Sequence, residues 1–133
     1  RLLKLLGFTH GEGISVNLLG GGNVLLEPSR HFAVVFDWSS ALTHQDQHVP
    51  RKYRVDDVAN AAKTVFVALG GDPQTADYPY LSSADVNDRR YISLVTTMMQ
   101  HREGNAERAH QQLYSLIDEI YGRTFHPFTT LPL

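Results

Sequence analysis

Two short β-prone runs, Asn23 to Glu27 and Phe32 to Phe36, are separated only by Pro28-Ser29-Arg30-His31, and this spacing constrains the fold more than any other feature. Proline and serine favour a turn, so the two runs pair as an antiparallel hairpin. Every other periodic stretch is helical. Leu2, Leu3, Leu5, Leu6 and Phe8 fit the last turns of a buried helix, stopped by the glycines and polar residues from Thr9 to Gly13. Val55, Val58, Ala62, Val65, Phe66 and Leu69 recur at helical spacing, with Asp56 and Asp57 at the favoured N-terminal end and Gly70-Gly71 at the stop. A third helix is expected to start near Ser83, to turn Tyr91, Ile92, Val95, Met98 and Met99 inward, and to end at Gly104. Asn105 caps a fourth, with Ala106, Ala109, Leu113, Leu116, Ile117 and Ile120 on one face and Gly122 at its close. The segments from Ser39 to Lys52 and from Asp72 to Ser83 read as connectors, and the tail through His126-Pro127 is expected to pack back on the last helix. A hairpin embedded among helices argues against a parallel doubly wound sheet and predicts a mainly α fold with a small antiparallel β element.

Bulk properties narrow the function. With 133 residues the chain suits one domain with a real core. Its net charge is -2 and its Lys and Arg are scattered, which points away from nucleic acid and from a membrane surface. No apolar run approaches the roughly 20 residues of a membrane span. The absence of cysteine excludes disulfides and thiolate metal sites, and fits a cytoplasmic setting. The chain opens mid-pattern on Arg1-Leu2-Leu3, as a fragment of a larger fold would.

The stretch from Gly13 through Gly20-Gly21-Gly22-Asn23 to Leu26, followed by Val34-Val35-Phe36-Asp37-Trp38-Ser39, resembles the catalytic and metal-binding loops of the protein-kinase-like superfamily, which includes the aminoglycoside phosphotransferases. In that family an H-R-D or H-G-D triplet places its Asp five positions before an Asn, and a D-F-G-like Asp ends the second of two short strands. Asn23 and Asp37 match these positions. The resemblance implies a C-lobe spanning residues 1–133 without an N-lobe. It implies ATP and magnesium as cofactors, held through Asn23 and Asp37, and a partner that is a protein or the missing N-lobe. Asp57, at the head of what resembles the central C-lobe helix, matches the family residue that braces the catalytic loop's backbone.

The departures bear directly on activity. Leu18 stands where the catalytic Asp belongs, Val16 where the His belongs, Gly20 where kinases often carry a Lys, and Ser39 at the third D-F-G position. Asn17, one residue away, cannot accept a proton as a carboxylate does, and the loss of such a group costs about 10²–10⁴ in rate. Gly20-Gly21-Gly22 is followed by no Lys-Ser or Lys-Thr, so it is no phosphate-cradling loop of that type; it reads as a tight turn or as a loop freed of its catalytic side chains. His44 and His48 sit in a polar segment without a third ligand and read as solvated. The expectation is a pseudokinase-like binding or scaffolding module. An active phosphotransferase with its N-lobe elsewhere, and an unrelated helical interaction domain, are the alternatives.

Overall fold

The computed structural model describes residues 1–27, 29–30, 32–74 and 88–122. Its elements run α1 (Leu2–Gly11), β1 (Ile14–Ser15), β2 (Val24–Glu27), β3 (Phe32–Val35), β4 (Leu42–Thr43), a 3₁₀ turn (Gln45–Gln47), α2 (Arg51–Ala68), α3 (Arg89–Met99) and α4 (Ala106–Tyr121). The described chain is thus mainly helical with two small antiparallel sheets. None of its helices is long and apolar enough to cross a membrane.

The apolar stripes explain the packing. α1 lies against α2 and α4, and α3 packs on α2 and α4. Leu2, Leu3 and Leu6 of α1 meet Val58, Ala62 and Phe66 of α2, Ile92, Val95 and Met98 of α3, and Ala106 and Ala109 of α4 in one cluster. Phe8, read from sequence as part of the buried face, is 68% exposed. On α4 only the first positions of the expected face, Ala106 and Ala109, are fully buried, and Leu113 packs at the margin.

The two β-prone runs pair as the hairpin expected from the sequence. Val24 pairs with Val35, Leu25 with Val34, Leu26 with Ala33 and Glu27 with Phe32. Val24, Ala33 and Val35 pack on the core, whereas Leu25, Phe32 and Val34 stay exposed. The turn is held by the Glu27 carboxylate, which accepts the backbone N–H groups of Ser29 and Arg30. Pro28 and His31, expected in this turn, lie outside the described residues.

Three boundaries differ from the sequence reading. The segment from Ser39 to Lys52 contains structure. β4 pairs with β1 through Ile14–Thr43 and Ser15–Leu42, extended by the His44 N–H donating to Gly13 C=O at 2.8 Å. Second, α2 begins at Arg51, directly after Pro50, so Asp56 and Asp57 lie inside the helix instead of at its start. Its first turn, Arg51-Lys52-Tyr53-Arg54, has no apolar period to reveal it. Third, α3 stops at Met99, short of Gly104. Its described start is Arg89, where Asp88 accepts the Arg90 N–H; the expected start near Ser83 lies outside the described residues, as does the tail after Gly122. At α4 the reading and the structure agree, since Asn105 Oδ1 accepts the Arg108 N–H at 2.9 Å and Gly122 closes the helix at φ 71°.

Candidate functional site

The loop from Val16 to Asn23, which joins β1 to β2, is shaped by one side chain from α2. Asp57 is 0% exposed. Its Oδ2 accepts the Val16 N–H at 2.8 Å and its Oδ1 accepts the Asn17 N–H at 2.7 Å. His10, from the last turn of α1, reaches Oδ2 through Nε2 at 2.8 Å. A carboxylate removed from water is tolerable only with such partners. This corrects the reading of Asp57 as a helix-start acid: it lies in the second turn of α2, and its partners are two loop amides and a histidine.

Asn17 holds the loop from the other side. Its backbone adopts φ 68°, and its carbonyl accepts the Asn60 side-chain N–H at 3.0 Å. Its Nδ2 donates to Ser40 C=O at 2.7 Å, and its Oδ1 accepts the Ser15 hydroxyl at 3.2 Å. Ser15 Oγ also hydrogen-bonds His44 Nε2 at 2.8 Å. The chain beyond the hairpin is therefore tied back to the loop at Ser40 and again at His44. His44, expected to be solvated, is half-buried and takes part in this network.

Asn23 and Asp37 sit at the open end of the hairpin, where the Phe36 N–H donates to Asn23 C=O at 3.0 Å. The hairpin thus brings the two predicted ligand positions to one end of the sheet. Asn23 Oδ1 accepts the Gly20 N–H at 2.8 Å, and its Nδ2 donates to Leu18 C=O at 2.9 Å, so the amide closes the loop on itself. Gly20, Gly21 and Gly22 form the turn within this closure, and none of them has a φ in the left-handed region. Asp37, at φ 56°, accepts the Ser39 hydroxyl at 2.6 Å and the Ser39 N–H at 3.3 Å through Oδ1. The hydroxyl first, and the amide second, hold this exposed carboxyl below its usual range. Leu18, at the expected position of the catalytic acid, is 70% exposed, and residues 16 to 23 contain no acid or base.

An amide oxygen and a carboxylate are hard donors of the kind magnesium prefers, with water and phosphate oxygens completing its shell. Asn23 and Asp37 carry oxygens of that kind, the Asn23 oxygen accepting the Gly20 N–H and the Asp37 oxygen the Ser39 hydroxyl. Among the described residues, no group of three or more His, Asp or Glu side chains is placed to hold a metal. Sequence reasoning missed His10, Ser15, Ser40 and Asn60, each of which acts through a partner distant in the chain or through a backbone atom.

No family model, no curated protein and no solved structure matches the chain.

Proposed function

We propose that this chain is a degenerate kinase-like C-lobe that serves as a binding or scaffolding module and keeps a weak nucleotide–magnesium contact through Asn23 and Asp37. The observation that carries this reading is the Asp57 carboxylate on the amides of Val16 and Asn17. In the resemblance, Asp57 is the residue that braces the catalytic loop, and Val16 and Asn17 are the two positions just before the lost acid. Further support comes from the Phe36 N–H on the Asn23 carbonyl, which brings the backbone of Asn23 and of the residue before Asp37 to the open end of the hairpin.

Leu18 sets the limit on activity. With no carboxylate to accept a hydroxyl proton, the loop can position a nucleotide but lacks the base for phosphoryl transfer. A binding role also suits the outer face of the hairpin, where Leu25, Phe32 and Val34 present apolar surface of the sort that marks protein contacts.

Calorimetric titration with ATP, with and without magnesium, tests the proposal. The expected result is weak, magnesium-dependent binding that disappears in Asp37→Ala, with no phosphate released. Robust turnover abolished by Asp37→Ala would overturn the inert assignment, and magnesium-independent or absent binding would overturn the nucleotide contact.

A further inference from the structure

One edge of the hairpin carries no hydrogen bonds among the described residues. The Phe36 N–H donates to the Asn23 carbonyl, which continues the β2–β3 register and fixes which residues bond inward. Hydrogen-bonded pairs alternate along an antiparallel ladder, so Leu25 and Glu27 turn their backbone groups to β3, while Val24 and Leu26 turn theirs away. Neither Val24 nor Leu26 bonds through its backbone to another described residue, and β2 pairs with β3 alone. The opposite edge differs, because the Trp38 indole N–H donates to the Val35 carbonyl there at 3.0 Å.

An unpaired edge invites another strand, and the residues of β2 fit a second copy of β2 itself. Two such strands, antiparallel about a two-fold axis at Leu25, set Val24 of each opposite Leu26 of the other. The four outward-facing N–H and C=O pairs then close as ladder bonds. The Leu25 side chains, 60% exposed, meet across the axis. Leu26 lies on the core side of the sheet with Val24 and Ala33, yet it is 65% exposed where those two pack on the core. Pairing lays Leu26 beside Val24 of the second copy and covers it. The charge on the strand agrees with this register. Glu27 falls opposite Asn23, so the two Glu27 residues stand ~14 Å apart along the ladder, beyond the roughly 10 Å over which charges act in salt. Each Glu27 carboxylate is already turned to its own Ser29 and Arg30 amides. Pro28 follows and has no N–H with which to extend the ladder.

We propose that β2 is a self-pairing edge, through which two copies of this chain join into a four-stranded antiparallel sheet. A seam of Val24, Leu25 and Leu26 is far smaller than the roughly 20–30 residues a side of a stable interface. The dimer is therefore weak, with a dissociation constant on the order of 0.1 mM.

Amide exchange of the whole chain, followed by NMR from about 10 µM to 1 mM with sedimentation at the same concentrations, tests this. The Val24 and Leu26 amides should slow about five-fold, as the free share falls to about one fifth, while the Leu25 amide, bonded within the hairpin, should not change. Leu25→Lys sets like charges face to face at the axis and should abolish association; mixing it with Leu25→Glu should restore a dimer. Val34→Lys, on the outer face of β3 away from this edge, should leave the dimer intact. A chain monomeric at the highest concentration would overturn self-pairing and leave the edge to another protein's strand. Protection gained at Ala33 and Val35 instead would also overturn it, as would a Leu25→Lys variant that still dimerises or a charge-swapped mixture that does not. Loss of the dimer in Val34→Lys would mean that the sheets stack by their faces. The exchange pattern of the unaltered chain decides the matter whether or not the variants fold.

Discussion

Asp57 is an acid that solvent does not reach, and two loop amides and His10 depend on it. Asp57→Ala leaves those donors buried without an acceptor, and breaking a buried pair of this kind costs about 3–5 kcal/mol; denaturant unfolding of the variant should show a loss of that size. Asp37 is the opposite case, an exposed carboxyl whose titration is set by its neighbour. Ser39→Ala removes both the hydroxyl bond and its local ordering, so the Asp37 carboxyl should titrate at higher pH, closer to an ordinary aspartate. The sign follows from the depressed value: the Ser39–Asp37 contact is present at neutral pH and is lost as pH falls through the lowered range. A carboxyl-detected NMR titration with an unchanged midpoint would refute this. At this scale the position of Asn23 and Asp37 at one end of the hairpin was legible, because a fixed spacing across a hairpin is a local property. It could not reveal His10, whose partner lies 47 residues away.

Among the elements, those with a long period were legible and those without one were not. The hairpin follows from two β-prone runs around a Pro/Ser turn, and the apolar stretches of all four helices from 3.6-residue spacing. β1 and β4, two residues each, are too short to carry any period, and exist because the loop is pinned at Gly13, Asn17 and His44. That pinning makes Gly13 critical. It sits at φ 75°, and a Cβ there would come within 2.5 Å of Gln47 Cα. Gly13→Ala should therefore cost about 2 kcal/mol or more, read as a lower unfolding midpoint with an unchanged denaturant slope. At α4, Asn105→Ala removes the acceptor for the Arg108 N–H and should cost about 1 kcal/mol. An unchanged midpoint would mean that Glu103, which bonds both Arg108 and the Asn105 amide, carries the helix start instead.

The whole molecule is organised around α2, which touches α1 and α3 through its apolar arc and the loop through Asp57. Phe66, 1% exposed within that arc, belongs to the cluster shared by all four helices. Phe66→Ala should cost about 3–5 kcal/mol, a large part of the roughly 5–15 kcal/mol that holds a domain folded, and calorimetry should show a markedly lower melting temperature. Helix content and the embedded hairpin were legible at this level. The burial of an aspartate in the arc was not, since periodicity ranks positions by hydrophobicity and assigns an acid to solvent. The same aspartate gives the loop an unusual clock. Surface loops normally exchange their amide hydrogens within seconds, but the Val16 and Asn17 amides can open only when α2 itself lets go. In deuterium oxide they should keep their protons about as long as the middle of that helix, a stretch of irregular chain that ages at the pace of the core.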